Sequence, residues 1–200
     1  MYDFIRGTIV QRQPNNLVVE CNGVGYKILS APEFMNRYPA RGETAMIFTY
    51  LYVREDTMAL YGFPGIEDRN LFELLLSVSG IGPKVASAIV GALPPSQFAM
   101  AVLSGDTKTL TQVRGIGRKG AERLILEMKD KLKGAEIPDV PVSGTPAAAG
   151  GEQSIQQEAI SALVVLGYSG SEAARAVFAV KESVASLEDL IRLALRQLMR

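Results

Sequence analysis

The stretches VSGIGPKVA, residues 78–86, and VRGIGRKGA, residues 113–121, decide how this chain is organised. They begin 35 positions apart and agree at a valine, two glycines, an isoleucine, a lysine and an alanine. Each lies between stretches with the apolar periodicity of helices, so each predicts a helix, a tight hairpin and a second helix. The repeat therefore predicts a tandem helix-hairpin-helix segment.

The glycines of each copy permit a positive φ and leave no side chain between the backbone and an approaching anion. The isoleucine is predicted to pack inward between the helices, which turns the first N–H groups of the second helix toward solvent. Those N–H groups, the positive end of the helix dipole and a nearby lysine together form a site for one phosphate, which reads no base. The predicted backbone-binding residues are Gly80, Ile81, Gly82 and Lys84 in the first copy and Arg114, Gly115, Ile116, Gly117, Arg118, Lys119 and Arg123 in the second.

A single Gly-x-Gly before a helix is a common connector, and only the matched repeat favours phosphate binding. Neither copy fits the pattern G-x-x-x-x-G-K-[ST], and neither lies in a strand-helix-strand unit with a downstream acidic residue. Mononucleotide and dinucleotide sites are therefore poor alternatives. The sequence predicts that the phosphate belongs to a polymer.

The net charge of zero hides an uneven distribution along the chain. Residues 64–134 hold ten Lys and Arg against seven Asp and Glu, whereas residues 135–200 hold five against eight. Only the segment with the two hairpins is basic, as expected of a backbone binder. The acidic C-terminal part is predicted to bind protein instead.

Several classes of site are excluded by composition. The chain has no histidine and one cysteine, Cys21, which argues against zinc sites, disulfide frameworks and His-based triads. We expect no catalytic residue, no metal and no cofactor. The sequence shows neither a signal peptide nor an apolar run of membrane-spanning length, and it predicts a cytoplasmic protein without a membrane partner.

The first 63 residues are predicted to form a β-barrel. Five β-branched or aromatic runs alternate with turn signals, at Phe4–Val10, Leu17–Cys21, Tyr26–Leu29, Ala45–Val53 and Met58–Phe63. Five short strands suit a small Greek-key barrel of the OB type, with an SH3-like barrel as the alternative. The last two strands are joined by a tight turn that carries Glu55 and Asp56. Acidic turns are usually only solvated, but beside a DNA-binding surface this one is a candidate functional element.

The rest of the chain is predicted to be helical. Residues 64–133 form the hairpin domain, in which Pro83 occupies a first helical turn and Ser96 and Asp106 are N-caps. A flexible linker is predicted for residues 134–154. Residues 155–200 form a small three-helix module of the UBA-like kind, with helices near 155–166, 171–180 and 186–199. The whole is a multi-domain α+β chain, with an N-terminal barrel at residues 1–63.

The turn after the first helix of this module is a candidate partner site. So small a bundle buries little core, and Leu163, Leu166 and Tyr168 are predicted to present apolar surface to a partner. Simple core filling by the two leucines is the alternative.

Together these motifs resemble one family. The order of VRED (53–56), LYGF (60–63), two hairpins including GIGRK (115–119) and AERL (121–124), and LGY (166–168) is similar to that of the RuvA family. These are the bacterial Holliday-junction-binding subunits of the RuvAB branch-migration machine. The resemblance covers the whole chain except the linker. One departure is that Pro83 stands where the second hairpin has Arg118.

The resemblance implies a homotetramer, or a double tetramer (octamer), that holds a four-way DNA junction in an open square form for recombination and repair. Glu55 and Asp56 would form acidic pins at the crossover. The C-terminal module would dock RuvB, the hexameric motor that uses the ATP, and the RuvC resolvase would join a larger complex.

Two other classes of function stay open at this point. Helix-hairpin-helix elements also occur in DNA glycosylases, ligases and nucleases, although no third acidic partner for a two-metal centre is recognisable beside the acidic turn. An RNA-binding or scaffolding OB protein is the second alternative. A monovalent cation held by hairpin carbonyls is compatible with the pattern, which gives neither its number nor its identity.

Overall fold

A computed structural model of the protein describes residues 2–134, 152–180 and 186–198. The chain forms two compact units, one of Met1–Pro94 with Gln112–Ile116 and one of Pro95–Thr111 with Gly117–Arg200. The first unit thus holds the barrel, the first hairpin and the turn of the second hairpin. Most of the predicted linker lies outside the described residues, and the domain boundaries at residues 63, 133 and 154 stay predictions.

The N-terminal strands close into a barrel. They are β1 (Phe4–Gln13), β2 (Asn16–Cys21), β3 (Val24–Leu29), β4 (Thr44–Arg54) and β5 (Thr57–Phe63). Their order is β1-β2-β3-β5-β4, with β4 paired back to β1; β3 and β5 are parallel and the other pairs antiparallel. The prediction of an OB-type barrel is confirmed. Ile9, Leu17, Ile28 and Ile47 fill its interior, because strand alternation turns every second side chain inward.

A 3-10 helix at Pro32–Arg37, between β3 and β4, was not predicted. Its buried Phe34 meets Phe63 edge to face, with ring centroids 6.4 Å apart. The Arg12 guanidinium donates to the Pro39 carbonyl at 3.1 Å and to the Met35 carbonyl. Six residues are too few to show helical periodicity, so the sequence carries no signal for this element.

Two helices complete the first unit, α1 (Ile66–Leu76) and α2 (Pro83–Ala92). The Phe72 ring of α1 packs on the barrel, with centroids 5.4 Å from Tyr50, 5.2 Å from Tyr61 and 4.9 Å from Phe63. This aromatic cluster joins the barrel to the hairpin region. Pro83 occupies the first position of α2, as predicted.

The second unit is entirely helical in its described part. It holds α3 (Pro95–Ser104), α4 (Thr107–Thr111), α5 (Arg118–Gly134), α6 (Glu152–Val165), α7 (Gly170–Val180) and α8 (Leu187–Leu198). Asp106 caps α4 as predicted, since its carboxylate accepts from the Thr109 N–H at 3.2 Å and from the Thr109 hydroxyl at 2.6 Å. The N-cap predicted at Ser96 is wrong. The helix already begins at Pro95, because proline suits the first helical position, and Ser96 lies inside it.

The three helices predicted at the C-terminal end are confirmed, and α6 starts three residues earlier than expected. Two serines set the starts of α7 and α8. The Ser169 hydroxyl accepts from the Glu172 N–H at 3.3 Å, while the Glu172 carboxylate accepts from the Ser169 N–H at 3.0 Å. This reciprocal capping box satisfies two backbone donors. Ser186 caps α8 through the Asp189 N–H at 3.2 Å.

A buried carboxylate lies where the barrel meets α1. Asp68 is only 1% exposed, and its Oδ2 lies 2.8 Å from the Arg37 guanidinium of the 3-10 helix. Burial raises the pKa of Asp68 from 3.8 to about 6, against the opposing attraction of Arg37. The folded chain therefore holds this proton more tightly than the unfolded chain does.

Asp68→Asn is expected to remove part of the pH dependence of stability. The contribution of a raised pKa is complete below pH 3.8 and is lost as the pH rises through about 6. Two pKa units correspond to on the order of 3 kcal/mol, so the free energy of unfolding of the original chain should fall by about that much across this window. Denaturant titrations at both ends of the window measure it. Asp3→Asn, at a mostly exposed carboxylate, is the control; equal slopes for all three chains would contradict the assignment.

Candidate nucleic-acid interface

The first hairpin joins α1 to α2. Gly80 has φ +82°, and the Ile81 N–H donates to the Val78 carbonyl at 3.1 Å, which closes the turn over the buried Val78. Gly82 is the N-cap of α2, with extended backbone (φ −92°, ψ 173°) and no side chain to cap the helix. The first N–H groups of α2 consequently have no capping partner and are available to an anion.

The turn of the second hairpin has the same construction. Gly115 has φ +95°, and the Ile116 N–H donates to the Val113 carbonyl at 3.1 Å. Val113 and Ile116 are buried, as predicted for the isoleucine of this copy, whereas Ile81 of the first copy is only half-buried. At the start of α5, Gly117 is exposed and its carbonyl accepts from the Ala121 N–H at 3.0 Å.

The two hairpin turns lie side by side in the first unit. A Cβ placed on Gly115 would lie 3.4 Å from Cγ2 of Val85, in the first turn of α2. The repeat in the sequence is therefore a pair in space.

The four hairpin glycines divide into two roles that the sequence does not distinguish. Gly80 and Gly115 have the positive φ that an L side chain rarely adopts. Gly82 and Gly117 do not; a Cβ on either would meet no atom within 4 Å. The first glycine of each hairpin is thus required by the turn, and the second leaves open space in front of a helix N-terminus.

All five predicted basic residues of the interface are exposed: Lys84, Arg114, Arg118, Lys119 and Arg123. Two of them form ion pairs within α5. Arg118 Nε lies 2.9 Å from the carboxylate oxygen Oε1 of Glu122, and Arg123 Nε lies 2.9 Å from Oε1 of Glu127. Across residues 2–134 the structure records no ion pair for Lys84, Arg114 or Lys119. These three are the better candidates for phosphate contacts.

Glu55 and Asp56 form the two-residue turn between β4 and β5, hereafter the acidic turn. Arg54 pairs with Thr57 at its base, and Val53 pairs with Met58 one step further back. Val53 and Met58 are 58% and 78% exposed, so the hairpin projects beyond the barrel core. Neither carboxylate has an ion-pair partner among the residues the structure describes. The acidic turn is thus an exposed, uncompensated negative tip.

The contact between Arg54 and Tyr52, beside the acidic turn, was not predicted from the sequence. The Arg54 Nε–H donates to the Tyr52 hydroxyl at 3.1 Å, and the guanidinium carbon lies 5.4 Å from the centroid of the Tyr52 ring. Tyr52 in turn contacts Tyr61 edge to face at 6.5 Å. The hydrogen bond to Tyr52 raises the pKa of Arg54. The available signal is the spacing Tyr-x-Arg in β4, which puts both side chains on one face of the strand.

In the C-terminal module the three predicted docking residues differ in how far they are buried. Leu163 and Leu166 are buried and fill the core, which is the alternative that the sequence left open. Gly167, with φ +94°, is exposed and Tyr168 is half-buried. The docking role of this turn stays a prediction, and its accessible side chain is Tyr168.

Within the described ranges, no group of three or more His, Cys, Asp or Glu side chains is placed to hold a metal ion. Over the same ranges no single helix combines the length and hydropathy of a membrane span; α2 and α3 reach them only when taken together.

Comparison with protein families gives three matches along the chain. Residues 1–62 match the model described as RuvA N terminal domain, and residues 154–199 match RuvA, C-terminal domain. Residues 72–130 match the SAM-like helix-hairpin-helix tandem. The three matches coincide with the barrel, the hairpin segment and the C-terminal helices.

Curated proteins from several bacteria are similar over the full chain. A protein of Acetivibrio thermocellus is 44% identical over 205 residues, covering 100% of both chains. Relatives from Ruminiclostridium cellulolyticum and Vibrio cholerae are 40% and 38% identical, and 99% and 98% of this chain is covered. Each is named Holliday junction branch migration complex subunit RuvA.

Proposed function

The chain belongs to the RuvA family, and on that premise we propose that it binds four-way DNA junctions through their phosphate backbone, without reading base sequence. The observation that carries the proposal is the pair of adjacent hairpins, with Gly115 against Val85. Each hairpin opens onto a helix N-terminus through a glycine with free space in front of it. Contacts of this kind suit a junction that migrates, because they are the same at every base pair.

Preference for a junction over plain duplex needs more than backbone contacts. We propose that four copies form a ring, so that each grips one arm and weak contacts are multiplied by effective concentration. In such a ring the acidic turns meet at the crossover, where their carboxylates repel phosphate and guide the separated strands. A second ring on the opposite face of the junction would give the octameric form.

The C-terminal module is proposed to recruit the RuvB ATPase, which drives branch migration with ATP, and the RuvC resolvase is proposed to join the same complex. The names of the relatives, subunits of a branch migration complex, support a division of labour of this kind. We propose that the chain itself is the DNA-binding subunit, carries no catalytic centre and uses no metal or cofactor of its own.

The test is a gel-shift series that compares a four-way junction with a linear duplex of equal length over a range of salt, with light scattering for the assembly state. We expect much tighter junction binding and a steep salt dependence, since many phosphates are contacted. A duplex RNA and a junction incubated with Mg²⁺ belong in the series. Preference for RNA, or cleavage of the junction by the pure protein, would overturn the proposal.

Tyr168→Ala tests the docking turn in the full-length chain. Junction affinity should stay the same, whereas RuvB-driven branch migration should slow about tenfold, because an accessible aromatic ring contributes strongly to an interface. A strand-exchange assay with both proteins measures this. Unchanged migration at limiting RuvB would move the docking site elsewhere in the module.

A further inference from the structure

We infer that Tyr52 and Arg54 are positioning residues for the acidic turn: Tyr52 holds the Arg54 guanidinium back along β4, so that Glu55 and Asp56 meet DNA without a compensating cation. This deepens the proposed function and rests on it, since it concerns how the acidic turn stays negative.

The geometry gives the contact two parts. The Arg54 Nε–H donates to the Tyr52 hydroxyl at 3.1 Å, and the guanidinium carbon lies 5.4 Å from the centroid of the ring. Residues two apart on a strand share a face, so Arg54 bends away from the tip, toward the barrel. The arginine is therefore held by a hydrogen bond at one atom and by the aromatic face as a whole.

Tyr52 is itself fixed from behind. The centroid of its ring lies 6.5 Å from that of Tyr61, and the Tyr61 centroid lies 5.2 Å from that of Phe72 in α1. Phe72 is fully buried. A continuous aromatic row of Phe72, Tyr61 and Tyr52 thus runs from the helix before the first hairpin to the base of the acidic turn, and Arg54 packs against its last ring.

Without this hold, Arg54 is free to reach the carboxylates of its two neighbours in the turn. An arginine can bind a carboxylate through two parallel N–H donors, and a paired carboxylate repels phosphate less. The electrostatic character of the turn therefore depends on which partner Arg54 takes.

A double-mutant cycle tests the inference in the full-length protein. The readout is the discrimination ratio, the Kd for linear duplex divided by the Kd for a four-way junction at one salt concentration. Tyr52→Leu should lower this ratio about threefold and Tyr52→Phe, which keeps the ring face, by less. In an Arg54→Gln background, Tyr52→Leu should leave the ratio unchanged. A threefold drop in both backgrounds would show that Tyr52 acts only by packing, and would overturn the inference.

A spectroscopic readout separates positioning from general damage. The Arg54 Nε–H resonance, assigned by its loss in Arg54→Gln, should be slow to exchange in the original protein and fast in Tyr52→Phe. Identical exchange in the two would also overturn the inference. Glu55→Gln/Asp56→Asn is the reference variant. If it leaves the ratio unchanged, the proposed role of the acidic turn fails; if it alters the ratio and the Tyr52 variants do not, only the present inference fails.

Discussion

Replacing Gly82 and Gly117 together by valine is expected to weaken junction binding about 100-fold or more, with little change in the fold. Both glycines face open space, and the Cβ atom of a side chain placed on either would meet no protein atom within 4 Å, so the valine side chains begin without a clash. They would instead fill the position in front of each helix N-terminus that a phosphate must enter. A hydrogen bond to a charged group contributes roughly 1.5 to 3 kcal/mol, and loss of one at each hairpin accounts for the fold-change.

The matched control is Gly80→Ala with Gly115→Ala. These glycines have φ +82° and +95°, where an L side chain is strained by roughly 1 to 2 kcal/mol each. The control should therefore lower the melting temperature, whereas the valine pair should lower it only by the small loss of N-cap preference. Thermal melts and junction titrations on both variants measure the two effects. Tight junction binding by a folded valine variant would exclude the hairpins as phosphate sites.

The sequence predicted the hairpins because their residues carry a local signal. The glycines, the isoleucine and, in the first copy, the first-turn proline each favour a hairpin through their effect on the few residues around them. Because the pattern occurs twice, it predicts phosphate binding more strongly than a single Gly-x-Gly connector does. The different roles of Gly80 and Gly82 were not predictable. Their φ angles depend on the turn that the hydrogen bond from the Ile81 N–H to the Val78 carbonyl closes, and the residue types alone do not predict that hydrogen bond.

The barrel was predictable for a similar reason, since alternation along each strand records which face is buried. Contacts between residues far apart in the chain produce no comparable pattern in the sequence. The ion pair of Arg37 with Asp68 depends on the 3-10 helix, which is too short to be seen in the sequence. The burial of Leu163 and Leu166 depends on the packing of α6, α7 and α8. The sequence does not specify that packing, so it left open whether the two leucines are exposed or fill the core.

The acidic turn poses the sharper physical question, because DNA-binding surfaces normally add positive charge. Glu55 and Asp56 are exposed at a two-residue turn, and Arg54 is engaged with Tyr52 rather than with either carboxylate. Such a tip lowers affinity for any backbone placed against it. It is useful only where its position excludes the wrong substrate more than the right one. In the proposed ring, a crossover whose arms splay apart would leave room for the tip, whereas a continuous duplex would not.

Glu55→Gln with Asp56→Asn is therefore expected to tighten binding to linear duplex about tenfold and to lower the ratio of duplex Kd to junction Kd. A carboxylate 4 Å from a phosphate costs about 1 kcal/mol in water and more where water is thinned, so two per subunit suffice for this change. Branch migration with RuvB should also change in rate, since the separated strands lose their guide. The measurement is the pair of dissociation constants at one fixed salt concentration for both proteins. Glu33→Gln with Glu43→Gln, which neutralises two exposed carboxylates outside the acidic turn, is the control for the same change in net charge. Equal ratios in the original and doubly neutralised proteins would return the acidic turn to the status of a solvated loop, because charge that discriminates must act differently on the two substrates.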